Sequence, residues 1–127
     1  GLIVPAINNE PGLYSARYAG LNATDSDNRN KLISKLKDNK LQSTYAYFFC
    51  CIVAVGIKGQ NEIIVCDGKV EGEVRTIERG EKGFGYDPMF YPKGYSESFA
   101  ELNSLEKNKI SHRGQALKKL MDKLNKT

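Results

Sequence analysis

Apolar residues recur at three- and four-residue spacing near the end of the chain, where Ala116, Leu117, Leu120, Met121 and Leu124 oppose Lys118, Lys119, Asp122 and Lys123. That is the period of an amphipathic helix, and Ser111 stands where its N-cap belongs. A second helix is predicted over 25–38. Leu32, Ile33 and Leu36 share a face, Thr24 or Ser26 can cap it, Asp25 and Asp27 sit in the first turn, and Lys35 and Lys37 close the last. Tyr45–Ile57 is rich in aromatic and β-branched residues and carries no charge, which predicts a strand covered on both faces. Gly59-Gln60-Asn61 then reads as a hairpin turn and Glu62–Asp67 as the returning strand. Val70–Arg79 alternates imperfectly and is expected to pair with its predecessor through a turn at Asp67-Gly68, making a three-stranded meander. In Ser96–Leu102, Phe99 and Leu102 are the expected anchors.

The alternation stops at residues 80–95, where four glycines, two prolines and five aromatics share sixteen positions. Gly80, Gly83 and Gly85 permit backbone angles closed to other residues while Pro88 and Pro92 fix theirs, so the stretch is a shaped loop. Phe84 and Tyr86 have glycine neighbours, and a flat ligand such as a nucleobase could reach their ring faces. A tight turn whose aromatics plug a core satisfies the same composition.

Charge changes the picture at one place. The net charge is +4, and residues 106–127 hold seven Lys/Arg against two acids, a field suited to a polyanion and equally to a solvated helix face. Lys107, Lys109, His112 and Arg113 crowd in just before and at the start of the last helix, where free backbone N–H groups favour anions. Arg17, in a loop after the Pro11-Gly12 turn, could clamp a phosphate or hold a neighbouring carboxylate.

Composition narrows the class further. The chain has 127 residues, 40% hydrophobic and 27% charged, and reads as one soluble globular domain spanning 1–127. Cys50, Cys51 and Cys66 are odd in number and fit no disulfide or zinc spacing, so buried reduced thiols and a cytoplasmic location are expected. The start shows no signal-peptide pattern, and the uncharged run 43–57 is too short to span a membrane. Gly1-Leu-Ile-Val-Pro-Ala-Ile7, without an initiating Met, reads as the start of a piece cut from something longer. No carboxylate or cysteine sits at ligand spacing from His112, the one histidine, and no nucleophile elbow, dinucleotide fingerprint or Walker lysine motif is present. What remains is a recognition surface of flat rings, Lys, His and Arg.

Gly83-Phe-Gly-Tyr-Asp-Pro88, Phe99-Ala-Glu-Leu102, Glu106-Lys-Asn-Lys-Ile-Ser-His-Arg-Gly114 and Pro11-Gly-Leu-Tyr-Ser-Ala-Arg17 together resemble the signatures of the inosine-triphosphate pyrophosphatase family, the XTP/dITP diphosphatases, from Gly1 to about Leu120. The resemblance implies an α/β fold, a mixed sheet with flanking helices, of which this chain is the C-terminal lobe of two. It implies Mg²⁺-dependent hydrolysis of ITP, dITP and XTP to monophosphate and pyrophosphate, and a homodimer. It places Phe84, Gly85, Tyr86, Asp87, Lys107, His112 and Arg113 in substrate contact, with Phe84 stacking on the base and His112, Arg113 and Asp87 reading its edge. The family's phosphate-binding, metal-binding and general-base residues precede the position of Gly1, so catalytic carboxylates are expected on an N-terminal fragment and no metal ligands in this chain. A non-catalytic nucleotide-binding module and a single-stranded nucleic-acid binder are the alternatives to the enzyme; no stable nucleic-acid partner is expected for the enzyme itself.

Overall fold

The fold was obtained as a computed structural model that describes residues 1–56, 63–81 and 83–125, with 64, 112, 113, 124 and 125 described by backbone alone. The expected hairpin turn at 59–61 lies outside the described residues.

Among the described residues five strands form one sheet: β1 (Leu2–Val4), β2 (Glu10–Pro11), β3 (Ser43–Val55), β4 (Ile63–Arg75) and β5 (Phe90–Pro92), in the order β2-β1-β3-β4-β5. Three α-helices among the same residues accompany it, α1 (Asp25–Asp38), α2 (Ser104–Ile110) and α3 (His112–Asn125). The α/β class with helices flanking a sheet is as expected. Every pairing among the described strands is antiparallel, so any parallel pair of a mixed sheet lies outside them. β1 and β2 are joined by a single 3-10 turn at Pro5–Ile7, which is too short for the crossover a parallel pair needs.

α1 occupies the predicted span. Thr24 and Asp27 form a reciprocal capping box, the Asp27 N–H donating to Thr24 Oγ1 at 3.1 Å and the Thr24 N–H to Asp27 Oδ2 at 3.0 Å. In α3, Gly114 N–H donates to Ser111 Oγ at 3.0 Å, so Ser111 does cap the last helix. α2 has no counterpart in the expectations. Its signal is Asn103-Ser-Leu-Glu106, in which Asn103 Oδ1 accepts from the Glu106 N–H at 2.9 Å.

Two strand expectations need correction. The expected turn at Asp67-Gly68 does not form: β4 runs unbroken from Ile63 to Arg75, with Cys51 opposite Asp67 and Cys50 opposite Gly68, so a two-stranded hairpin replaces the meander. A long, continuously bonded partner in β3 outweighs the local preference of an Asp-Gly pair for a turn. Nor is β3 covered on both faces. Its even positions Ala46 and Phe48 join Cys66, Val70 and Val74 of β4 in the core, whereas Tyr45, Phe49, Val53 and Val55 face outward with Ile63 and Val65. Of the thiols, all free, Cys66 is buried and Cys51 is exposed on that outer face, correcting the expectation of three buried ones.

The core gathers Leu2 and Val4, Leu32 and Leu36 of α1, and an aromatic triangle in which the Phe48 and Phe90 centroids lie 4.7 Å apart and those of Phe90 and Phe99 5.0 Å. Phe99 and Leu102 are buried anchors as expected. β1 is sealed within the sheet, with Leu2, Val4 and Ile7 buried. Among the described residues no helix is long and apolar enough to cross a membrane.

α3 guards the free edge of β4. Gln115 Oε1 accepts from the Lys69 N–H at 3.3 Å, Lys119 Nζ meets Asp67 Oδ1 at 2.8 Å, and Lys123 Nζ donates to the Val65 carbonyl at 2.9 Å. Four helical residues rise about 6 Å and two strand residues about 6.7 Å, so each turn of α3 meets the next edge position of β4. Of the predicted apolar stripe, Ala116 is buried while Leu117 and Met121 stay about half exposed.

Gly72 is where β5 closes on β4. A Cβ there would stand 2.3 Å from the Tyr91 carbonyl oxygen and 2.9 Å from both Phe90 Cζ and Pro92 Cα. Backbone cannot retreat as a flexible side chain can, so Gly72→Ala should destabilise the fold by about 2 kcal/mol or more. Chemical denaturation measures it; an unchanged midpoint would contradict this packing.

Candidate functional site

A cavity of about 510 Å³ opens between the N-terminal strand, the 3-10 segment Gly12–Arg17, α1, the 83–87 loop and α2, with Phe48 and Phe99 in its lining. Phe84, Gly85, Tyr86, Asp87 and Lys107, five of the residues singled out in the sequence, line it together. Arg17 does not. Its guanidinium lies 5.3 Å from the Tyr14 ring centroid. His112 and Arg113 open α3 directly after the cavity-lining Ser111, and their side chains lie outside the described residues.

The loop is held by its own side chains. Asp87, only 5% exposed, accepts from the Phe84 N–H at 3.0 Å and is ion-paired with Lys107 Nζ at 2.5 Å. A buried carboxylate needs such partners, because desolvating an unpaired charge is costly. Gly83 is required here: its φ is +88°, and a Cβ would fall 2.4 Å from Asp87 Oδ2. Lys107 is thus pinned, and its ammonium also sits 4.7 Å from the centre of the Phe84 ring. Phe84 itself is 63% exposed. Tyr86 differs from its neighbour. Expected with an accessible ring face, it is almost wholly buried, and its hydroxyl donates to the Ser15 carbonyl at 2.7 Å.

Residues in and beside the cavity that carried no site expectation also shape it. Asp25 Oδ2 accepts from the Gly85 N–H at 2.9 Å, and Arg29 Nη1 donates to the Gly85 carbonyl at 2.8 Å while its Nε pairs with Glu78. Asn28, fully buried, accepts from the Ala19 N–H at 2.8 Å and donates to the Ala16 carbonyl at 3.0 Å, tying the Ser15-Ala16 wall to α1. Its signal was spacing: Asn28 lies four and eight residues before Leu32 and Leu36, on the buried stripe. Asp25 and Arg29 had no such signal, since their partner lies about sixty residues onward.

The donor set does not fit a magnesium ion. Asp87 is committed to Lys107 and Asp25 to the Gly85 amide, and among the described residues no three His, Cys, Asp or Glu side chains gather as metal ligands.

The profile of the Ham1 family matches residues 1–123. The chain belongs to the Ham1 family. It is 48% identical over 126 residues to a dITP/XTP pyrophosphatase of Idiomarina loihiensis, covering 99% of this chain and 62% of that protein. With a dITP/XTP pyrophosphatase of Clostridium perfringens the identity is 50% over 124 residues, 98% of this chain and 60% of the relative. A HAM1 protein structure from Coxiella burnetii superposes with a TM-score of 0.90 at 40% identity, over 100% of this chain and 64% of that one. The chain thus spans about three fifths of the length of the Ham1 relatives it matches.

One pH consequence follows from the buried phenols of this Ham1 chain. Burial pushes Tyr86 above the ordinary 10.0, and burial together with its 2.6 Å hydrogen bond to Glu10 does the same for Tyr18. The folded protein therefore keeps protons that the unfolded chain releases, so this contribution is intact below about pH 10 and is lost as pH rises further. Tyr86→Phe should cost about 1 kcal/mol at neutral pH and make the alkaline decline shallower. Denaturation midpoints across that range test it, and an equally steep decline would refute it.

Proposed function

We propose that the protein carrying this chain hydrolyses non-canonical purine nucleoside triphosphates, ITP, dITP and XTP, to the monophosphate and pyrophosphate. In this reading residues 1–127 form one domain, the C-terminal lobe of a two-lobed enzyme, and supply base recognition. The observation that carries it is the exposed Phe84 ring, backed by the Lys107 ammonium, in a cavity lined by Phe48 and Phe99. A flat, uncharged base stacks on such a ring, and stacking is worth about 1–3 kcal/mol. The dITP/XTP pyrophosphatases that share half of these residues support the substrate class.

Roles follow from what each group has left to offer. Asp87 and Lys107 satisfy one another and set the plane of the loop. Reading the base edge then falls to His112 and Arg113, whose backbone begins α3 next to the cavity. Donors at the 6-oxo group of hypoxanthine would be left unpaired against the 6-amino group of adenine, which gives strong discrimination. Arg17 is assigned a structural role with Tyr14. Mg²⁺, when bound, would neutralise triphosphate charge, and its carboxylate ligands are assigned to residues outside this chain. The outward apolar positions of β3 and β4, with Leu117 and Met121, are offered as a homodimer surface. Three free thiols are consistent with a cytoplasmic location.

In the native protein, Phe84→Ala should lower kcat/KM for ITP by about 5- to 150-fold, and Arg113→Ala should narrow the preference for ITP over ATP. Unchanged kcat/KM in the first variant would defeat the assignment. The 127 residues alone should release no pyrophosphate from ITP and Mg²⁺, whereas the same residues joined to a carboxylate-bearing N-terminal lobe should. Saturable nucleotide binding without turnover in both forms would instead identify a non-catalytic binding module.

A further inference from the structure

We propose that Asp25 and Arg29 of α1 are positioning residues for base recognition, gripping both polar groups of Gly85 and thereby setting the Phe84 ring. This rests on the reading of Phe84 as the base-stacking residue. Phe84 stands between Gly83, at φ +88°, and Gly85, at φ +61°. Glycine offers almost no intrinsic resistance to rotation, and the segment 83–86 belongs to no strand or helix, so its geometry must come from outside. Below the loop the anchor is Asp87 with Lys107. On the other side it is α1: the Gly85 N–H donates to Asp25 Oδ2 at 2.9 Å and the Gly85 carbonyl accepts from Arg29 Nη1 at 2.8 Å.

The two grips suit the task. Residues 25 and 29 are four apart and lie one above the other on the same helix face, so a single rigid element meets both ends of one residue. Each contact has a charged partner, which makes it stronger than a neutral hydrogen bond. Arg29 is itself oriented by Glu78, two residues before the loop's first glycine, so the same guanidinium ties the segment leading into the loop and the loop's centre. The glycine at 85 is demanded by its backbone angle, not by crowding, since a Cβ there would meet nothing within 4 Å. At Gly85, between the buried Tyr86 and the exposed Phe84, the backbone is therefore held by hydrogen bonds and not by crowding, and loosens when the bonds are removed. Asp25 also lines the cavity, so direct contact with the ligand is the competing account.

Steady-state kinetics on the native protein with ITP separate these. Asp25→Ala and Arg29→Ala should each raise KM about five- to tenfold with kcat nearly unchanged, the loss expected when a charge-assisted bond positions a binding group. Asp25→Asn keeps an acceptor for the Gly85 N–H without the charge and should restore KM to within about threefold of the parent, despite the lost helix-terminus charge. In a Phe84→Ala background, Asp25→Ala should add nothing, because its effect passes through that ring. Additive losses in the double variant would overturn the proposal in favour of direct contact. Unchanged KM in Asp25→Ala and Arg29→Ala, with Phe84→Ala still impaired, would overturn the positioning role alone and leave the base-stacking reading intact. If Phe84→Ala were itself without effect, both would fall.

Discussion

The buried carboxylate of Asp87 is the constraint on which the site depends. A charge that far from water is tolerable only with a cation and hydrogen-bond donors already in place. Lys107 from α2 supplies the first and the Phe84 N–H the second, so the loop and the helix must arrive together. Gly83 is the conformational condition for that meeting. Asp87 also sits in the chain as the first residue of a 3-10 turn that leads into β5, so the same pairing fixes where the loop ends and the sheet resumes.

The sheet explains why this arrangement can stand at the rim of a cavity. β5 approaches β4 closely through Gly72, which brings Phe90 against Phe48 and Phe99 and gives the loop a firm base. The far face is different in kind. Apolar side chains from β3 and β4 remain outward there, and α3 spends its polar side chains on the edge of β4 while Leu117 and Met121 of its apolar stripe stay about half exposed. One face of the sheet thus completes a core within the chain, and the other presents apolar side chains outward.

Membership of the Ham1 family accounts for the fold and the four motifs. The carboxylates within reach of it are neutralised by a lysine or bound to an amide.

Much of this was legible in the sequence because local rules carry it. α1 with its cap, the Ser111 cap, the anchors Phe99 and Leu102 and the glycine-shaped loop depend on spacing and backbone angle within a few residues, as do the motifs that marked the family. The tertiary structure decided everything that depends on who lies opposite. Asp67-Gly68 is a turn signal in isolation and a strand segment once β3 pairs along it. The apolar run of β3 announces burial but cannot say on how many faces. Lys107 reads as a free cation until Asp87 is found beside it, and Asp25 and Arg29 read as helix-surface charges until the fold returns the chain to them at Gly85. Hydrogen bonds and ion pairs between residues sixty apart leave no period in the sequence, because only the folded path of the backbone brings the two ends together.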